Sequence, residues 1–251
     1  MTDLYIFDFD GTIGDSRELI VKTMMDTFDA MGIGKPSVAE CIKTIGLPLD
    51  NCFAVSAGLD DKQSEKCAEV YRKIFKENNK RGAVKPFEGV IDTLNRLHDE
   101  GKTMAIASSR QHESLDVLVD DFGIANLFSM IVGGDDVTKA KPDAEPVVLI
   151  LSKLGIDPHK AIVVGDAPVD ILMGRNAGTR TCAVTYGNGD LEQLKASKPD
   201  YLLDKFNKIL DIGLIAIKKG IRRKSLPIPF FLSCLFNPPV VESRVKEFQV
   251  F

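Results

Sequence analysis

Two aspartates near the start of the chain carry the first chemical signal. Asp8 and Asp10 stand in the run Asp-Phe-Asp-Gly-Thr, directly after the short apolar segment Leu4–Phe7. That segment has the length of a buried strand, and side chains alternate along a strand, so both carboxylates point to the same side of the chain that leaves it. A solvated Asp-Gly turn would explain either residue alone. A functional role for the pair becomes more convincing because polar residues also follow other predicted strands.

Polar side chains also follow two later apolar runs, and one precedes a helix. They are Ser108 and Ser109 after Met104–Ala107, Lys141 before the helical segment Pro146–Leu154, and Asp166 and Asp170 after Ala161–Val164. In a parallel sheet the carboxyl ends of the strands lie on one edge, where ligands bind. We therefore expect these carboxylates, hydroxyls and the ammonium group to converge with Asp8 and Asp10.

This mixture of groups suits phosphoryl transfer. Several carboxylates in one crevice repel each other and favour a hard cation such as Mg²⁺, which binds carboxylate, carbonyl, water and phosphate oxygens. A carboxylate beside Mg²⁺ can attack a phosphoryl group while a second carboxyl group protonates the leaving oxygen, and Asp8 and Asp10 suit these two roles. The hydroxyls of Ser108 and Ser109 and the ammonium of Lys141 would hold the phosphoryl oxygens and offset their charge.

The elements that must position these residues alternate between strand and helix. Further short apolar runs occur at Met130–Val132, Thr181–Thr185 and Tyr201–Leu203, and helix-length segments such as Gly89–Glu100 separate such runs. This alternation predicts parallel βαβ units with right-handed crossovers. The expected fold is α/β, with a Rossmann-like three-layer core built on a parallel sheet.

One long segment interrupts the alternation. From Ser16 onward the apolar residues recur at helical spacing and no strand is indicated, and Ser37 begins a capping-box pattern. We predict an all-helical cap domain of residues 16–81, inserted after the first strand. The α/β catalytic core then consists of residues 1–15 and 82–211.

The chemical residues resemble the four motifs of the haloacid dehalogenase-like hydrolase superfamily, in order and in spacing, over residues 4–205. With its helical insertion after the first motif, the chain is similar to the branch of the phosphoglycolate phosphatases. The resemblance implies that Asp8 is the nucleophile and Asp10 the general acid and base. It also implies that Mg²⁺ contacts Asp8, the Asp10 carbonyl and Asp166, with Asp170 as a supporting carboxylate behind them.

Other residues refine what the resemblance implies. Asp10 argues for phosphoryl transfer, because dehalogenases of the superfamily lack an acid there. Thr12 is typical of its phosphatases, whereas its mutases commonly carry Val, and we expect Gly11 and Thr12 to contact phosphate or substrate. Gly46, in the run Ile45–Leu49, resembles a cap loop that faces the active site and is a candidate substrate contact. A plain connection between two helices would have the same composition.

The second motif departs from the usual pattern. Many relatives have Thr-Asn where this chain has Ser108-Ser109, so an amide group is lost from the expected contacts with the leaving group. Arg110 follows directly. We expect its long side chain to face solvent rather than substrate.

Whole-chain composition excludes several classes of protein. The 251 residues are 44% hydrophobic, and 32 Lys and Arg against 36 Asp and Glu leave a formal charge of −4. Such a chain has no global positive field for a nucleic-acid backbone, so no nucleic-acid partner is expected. Five cysteines without a C-x-x-C pair indicate neither a disulfide framework nor a zinc site, which favours the cytoplasm. No secretory signal and no run of ~18 uncharged apolar residues is present, so no stable membrane insertion is expected.

The last residues, 212–251, lie outside the resemblance and are an extension of unknown structure. A basic cluster precedes an apolar stretch with four prolines: Lys218, Lys219, Arg222, Arg223 and Lys224, then Leu226 to Pro239. A membrane-surface or binding protein would use these groups. The prolines prevent the amphipathic helix that such binding normally uses, so a packed or disordered appendage is the simpler explanation.

The residues and the resemblance together imply a Mg²⁺-dependent phosphatase. Its substrate would be a small phosphorylated metabolite, either a phosphoglycolate-like phosphomonoester or inorganic pyrophosphate, and its intermediate an aspartyl phosphate. The alternative enzyme is a phosphoglucomutase-like sugar-phosphate mutase, whose acyl phosphate would survive long enough to return to the substrate. We expect a monomer or a homodimer.

Overall fold

The computed structural model describes residues 2–212, and within that range the chain forms eight strands and nine α-helices. The strands are β1 (Leu4–Phe7), β2 (Gly14–Asp15), β3 (Lys85–Pro86), β4 (Thr103–Ala107), β5 (Met130–Val132), β6 (Ala161–Gly165), β7 (Arg180–Val184) and β8 (Tyr201–Leu203). The helices are α1 (Arg17–Met31), α2 (Val38–Ile42), α3 (Leu49–Ala57), α4 (Asp61–Asn78), α5 (Val90–Asp99), α6 (His112–Asp121), α7 (Glu145–Leu154), α8 (Pro168–Asn176) and α9 (Leu191–Ala196).

Six of the strands form one sheet in the order β5-β4-β1-β6-β7-β8. Every pair in it is parallel, and in the centre Phe7 of β1 lies opposite Ile106 of β4 and Val164 of β6. All six strands therefore end on one edge, and the predicted α/β fold with a parallel sheet is confirmed. The predicted strands agree with the observed ones to within one residue.

Helices cover both faces of the sheet. In β1, Leu4 and Ile6 belong to the same apolar cluster as Val147 of α7 and Met173 of α8. Tyr5 and Phe7 belong to the other cluster, together with side chains of α5 and α6. Alternation along a fully buried strand thus supplies both cores at once, as a parallel sheet requires. The three layers expected from the sequence result from this arrangement.

The helices α1 to α4 lie between β2 and β3 in the chain and pack against one another. Their shared core is aromatic: Phe28 meets Phe53 edge to face, Phe53 meets Tyr71 in the same way, and Tyr71 stacks on Phe75. An all-helical insertion after the first long strand is therefore present, as predicted. The exact limits at residues 16 and 81 stay a prediction.

The chain leaves the core and returns to it through a short antiparallel ribbon. Gly14 pairs with Pro86 and Asp15 pairs with Lys85. No sequence pattern predicts this ribbon, because two residues per strand are too few to show any alternation of apolar and polar side chains. It places the two connections to the helical insertion side by side.

Helix boundaries in the insertion follow from local capping. Ser37 and Glu40 form the predicted capping box before α2, and Asp60 forms a second one with Gln63 before α4. α1 ends at Gly32, which adopts a left-handed conformation that glycine enters without steric cost.

Within the described residues, none of the helices combines the length and the apolar content that a bilayer crossing demands. Residues 213–251 fall outside the described part of the chain. The predicted basic cluster and the proline-containing stretch both lie there.

Candidate active site

A cluster of three carboxylates stands at the carboxyl edge of the sheet. Asp8 follows β1, Asp166 follows β6, and Asp170 lies in the first turn of α8. Because β1 and β6 are neighbours, the three side chains meet, and one oxygen of each lies within 4.8 Å of the others. All three residues are buried. The structure thus brings together residues that are up to 162 positions apart (170 − 8).

Lys141, in the turn before α7, provides the positive charge of this cluster. Its Nζ donates to Asp8 Oδ1 at 2.5 Å and to Asp170 Oδ1 at 2.7 Å. Burial opposes the charge of the ammonium group, but Asp170 and Asp8 more than offset that effect and raise the pKa of Lys141. Lys141 is therefore charged at neutral pH and bridges two of the carboxylates.

Burial and mutual repulsion destabilise the ionised forms of these carboxylates. Burial raises the pKa of Asp8 to about 7, with Lys141 acting in the opposite direction and Asp170 adding to the rise. Burial, Asp8 and Asp170 likewise raise the pKa of Asp166 well above its ordinary value. When all three are ionised, they carry two more negative charges than Lys141 balances. A buried set of carboxylate oxygens with this excess charge fits a divalent cation, and Mg²⁺ prefers such oxygen ligands.

The loop after β7 holds Asp166 in place. The backbone N–H of Asn188 donates to Asp166 Oδ2 at 2.5 Å, and Arg17 fixes this loop through Asn188 Oδ1 and the Gly187 carbonyl. Gly11 lies against the same carboxylate, where any Cβ would overlap Asp166 and Asn188. Asn188 was not among the residues predicted for the site. The rule that all strands end on one edge could have found it, since this loop follows a predicted strand.

A cavity of about 480 Å³ opens next to this cluster. Five residues predicted for the site line it, and the rest of the wall includes apolar, aromatic and basic side chains. Those five are Asp8, Asp10, Gly46, Ser108 and Ser109, and among the others are Tyr71, Phe75 and Arg110. Lys141, Asp166 and Asp170 are not in this lining. Asp8 is therefore the member of the carboxylate cluster that lines the cavity.

Gly11 and Thr12 are not brought to the cavity wall either. The N–H of Gly11 donates to the Gly14 carbonyl at 2.9 Å, and the N–H of Thr12 donates to the Phe9 carbonyl at 3.3 Å. Both groups therefore stabilise the turn after β1. Their predicted contact with phosphate or substrate stays a prediction.

The second motif and the predicted cap loop contact each other. The hydroxyl of Ser109 donates to the carbonyl of Gly46 at 2.9 Å, and Gly46 lies in a connection between α2 and α3. Ser108 is buried, and its Oγ accepts the backbone N–H of Arg110 at 3.2 Å. The loop around Gly46 thus reaches the site, although a plain connection between helices was an equally simple expectation.

Asp10 does not join the carboxylate cluster. Its Oδ1 accepts from the hydroxyl of Ser16, and the guanidinium of Arg110 donates to both of its oxygens. These contacts are Arg110 Nε to Oδ2 at 3.0 Å and Arg110 Nη2 to Oδ1 at 2.5 Å. The predicted acid and base is therefore held in an ion pair at the cavity wall.

The expectation that Arg110 faces solvent is wrong. Its side chain is only 7% exposed, and it donates to Ser114 and stacks on the ring of Phe75 at 4.8 Å in addition to pairing with Asp10. A guanidinium tolerates such burial when its donors are satisfied and a ring covers its face. The partners lie 100 and 35 positions away (110 − 10 and 110 − 75). No local pattern around Arg110 reveals them.

Comparisons with known proteins agree with this geometry. The family described as haloacid dehalogenase-like hydrolase matches residues 5–184. Pyrophosphatase PpaX of Bacillus velezensis is 34% identical over 207 residues, which are 82% of this chain and 94% of that protein. A "probable phosphatase IndB" of Dickeya dadantii is 31% identical over 223 residues, 87% of this chain and 96% of its own.

Solved structures show the same fold. A haloacid dehalogenase-like family hydrolase from Streptococcus pneumoniae is 26% identical with a TM-score of 0.75, covering 83% of this chain and 97% of its own. A "predicted phosphoglycolate phosphatase" from Haemophilus somnus is 25% identical with a TM-score of 0.75, covering 84% and 98%. The resemblance stated from the four motifs is confirmed. The chain belongs to the haloacid dehalogenase-like hydrolase family.

Proposed function

We propose that this hydrolase is a Mg²⁺-dependent phosphatase that releases phosphate from a small phosphorylated compound through an aspartyl phosphate on Asp8. The observation that carries the proposal is the buried cluster of Asp8, Asp166, Asp170 and Lys141 beside a cavity that Asp8 faces. The names of the relatives, a pyrophosphatase and phosphatases, support phosphate release as the reaction.

Asp8 and Asp166 would hold Mg²⁺, with the backbone carbonyl of Asp10 as a third ligand and Asp170 behind them. Bound there, the cation supplies positive charge that offsets the crowded carboxylates and polarises a phosphoryl oxygen. Lys141 orients the Asp8 carboxylate through its bond to Oδ1.

The first chemical step transfers the phosphoryl group to the protein. A carboxylate oxygen of Asp8 attacks phosphorus, the bond from phosphorus to the leaving oxygen breaks, and Asp10 gives its proton to that oxygen. In the second step Asp10 takes a proton from water, and the water oxygen attacks phosphorus. The bond between phosphorus and Asp8 then breaks and orthophosphate leaves, so Asp8 and Asp10 return to their starting forms.

Substrate size and compartment complete the proposal. A cavity of about 480 Å³ suits a small phosphorylated molecule, such as inorganic pyrophosphate or a phosphoglycolate-like ester. The cysteines of the described residues, Cys41, Cys52, Cys67 and Cys182, are buried free thiols. Free thiols support a cytoplasmic location. We keep monomer or homodimer as the expected assembly.

The experiment is a screen of phosphorylated metabolites, including pyrophosphate, phosphoglycolate and hexose phosphates, with orthophosphate release as the readout. We expect release with Mg²⁺ and none after chelation. Formation of an isomerised sugar phosphate without free orthophosphate would identify a mutase instead.

Asp8→Asn is the matched variant for this screen. The amide has nearly the shape of the carboxylate but is neither an adequate nucleophile nor an anionic metal ligand, so we expect a folded protein with no measurable phosphate release. Circular dichroism checks the fold of the variant. Turnover at the wild-type rate would contradict Asp8 as the nucleophile.

A further inference from the structure

Arg110 is a buried cation in the wall of the cavity. Its guanidinium lies over the ring of Phe75 and donates to Asp10 and Ser114, and all three partners also line the cavity. Two further cations in the lining, Arg72 and Lys76, belong to exposed residues. Arg110 is therefore the cation whose charge is least screened by water, and an anion that enters the cavity gains most from it.

The present partner of Arg110 is the residue proposed as the acid. Both oxygens of Asp10 are occupied, by Arg110 on each of them and by the hydroxyl of Ser16 on Oδ1. An acid must place one of its oxygens within hydrogen-bond distance of the leaving oxygen, but the contacts with Arg110 and Ser16 turn both oxygens of Asp10 to other partners. Asp10 must therefore release Arg110 before it can protonate a leaving oxygen.

Breaking the ion pair of Asp10 and Arg110 is costly when no other anion takes the place of Asp10. Separating Asp10 from Arg110 leaves a guanidinium that is 7% exposed without its counter-charge, and uncompensated buried charges are strongly unfavourable. A second anionic group brought by the substrate removes this cost, because a guanidinium binds a carboxylate or a phosphate in the same bidentate manner.

We propose that an anionic leaving group replaces Asp10 on Arg110, so that the enzyme selects substrates with a carboxylate or phosphate close to the scissile phosphoryl group. The proposal rests on the proposed phosphatase function and specifies its substrate class. A substrate with a neutral leaving group leaves the pair of Arg110 and Asp10 intact, and the acid stays unavailable. Binding of the correct substrate thus makes Asp10 free to act.

The test compares matched substrates with Mg²⁺ present. The anionic probes are phosphoglycolate and inorganic pyrophosphate, and the neutral probes are 2-hydroxyethyl phosphate and methyl phosphate. For the wild type we expect kcat/KM to be about 10- to 100-fold higher for an anionic probe than for either neutral one, the range that a hydrogen-bonded charged group contributes. Similar values for both classes would overturn the proposal.

Arg110→Gln should change the two classes in opposite directions. It removes the partner of the anionic leaving group, so kcat/KM for the anionic probes falls about 10- to 100-fold. It also removes the pair that holds Asp10, so kcat/KM for the neutral probes rises. A variant that kept the wild-type preference would overturn the proposal, as would a loss of the same size for both classes in a folded variant.

Two further variants complete the experiment. Arg110→Lys keeps the charge but loses the bidentate geometry, so its preference should lie between those of the wild type and Arg110→Gln; it serves as the test if the Gln variant fails to fold. Arg96→Gln, on the exposed surface of α5, removes the same charge away from the cavity and should keep the wild-type preference. If no probe releases phosphate with any protein, the proposed function fails rather than this inference.

Discussion

Lys141 offsets the negative charge of two carboxylates in a buried site, where water cannot screen that charge. Its side chain is 2% exposed and lies between Asp8 and Asp170. Lys141→Ala leaves these carboxylates facing each other, so we expect strong loss of kcat. We also expect the free energy of unfolding to fall by about 3–5 kcal/mol near neutral pH, the usual cost of removing one partner from a buried pair. Steady-state kinetics and urea unfolding measure both effects.

The control for Lys141 is another lysine with an acidic partner. Lys208 pairs with Asp204 at 2.6 Å, but both side chains are largely exposed. Lys208→Ala should change the free energy of unfolding by less than about 0.5 kcal/mol and leave kinetics alone. If Lys141→Ala behaved like this control, the third motif would not belong to the site.

Single residues differed in how far the sequence revealed them. Asp8, Asp166 and Lys141 each stand where a strand ends or a helix begins, so local pattern and the rule of the common sheet edge located them. Arg110 also follows a strand, but its burial depends on Asp10 and on Phe75 of α4. Only the folded chain brings these partners together.

At the scale of elements, α4 positions the aromatic wall of the cavity. This helix carries Tyr71 and Phe75, and its first turn is capped by Asp60, whose side chain accepts the N–H of Gln63 at 2.8 Å. Asp60→Ala removes that cap, so we expect the free energy of unfolding to fall by about 1 kcal/mol. The chain has no tryptophan, so urea unfolding followed by circular dichroism is the appropriate measurement.

Lys62→Ala is the comparison for Asp60→Ala, because Lys62 is exposed in the same turn of α4. It should change the free energy of unfolding by less than about 0.5 kcal/mol. Equal effects of the two substitutions would show that the cap contributes nothing beyond the general cost of changing this turn.

Elements with a clear pattern of apolar residues were predictable from the sequence. The short ribbon of β2 and β3, which has no such pattern, was not. The fully apolar runs of β1, β5 and β8 matched the observed strands, and the segment with helical spacing from Ser16 onward forms α1 to α4. The ribbon of β2 and β3 exists because Gly14 and Pro86 meet where the chain leaves and re-enters the core. Its residues carry no period of their own, so only tertiary structure defines it.

At the scale of the whole molecule, we expect the carboxylate cluster to make stability depend on pH and on the proposed metal. Burial raises the folded pKa of Asp8 to about 7 in the metal-free protein, against ~3.9 in an unfolded chain. A carboxyl group whose folded pKa is raised stabilises the fold while it is protonated, and this contribution is lost as pH rises from about 4 to 7. We therefore expect the metal-free protein to become less stable across this interval.

Mg²⁺ should reverse that loss. In the proposed site the cation would bind the ionised carboxylates of the folded state, so the rise in Tm with Mg²⁺ over chelator should be larger at pH about 8 than at pH about 5.5. Thermal unfolding followed by circular dichroism at both pH values measures it, and Asp8→Asn should show a smaller rise. A rise that is equal at both pH values, or larger at the lower one, would contradict the assignment of this cluster to the metal.

The central position of β1 in the sheet also affects the order in which the chain can fold during its synthesis. β1 precedes the other strands of the sheet in the chain, yet its two neighbours are β4 and β6, which begin at Thr103 and Ala161. The helices α1 to α4 contact one another over shorter sequence separations than β1 and β6 do. Because such contacts form sooner than more distant ones, these helices can pack before the sheet is complete. The nascent chain therefore holds β1 without any partner strand until residue 107 has emerged, and one edge of this apolar strand stays unpaired until residue 165 has followed.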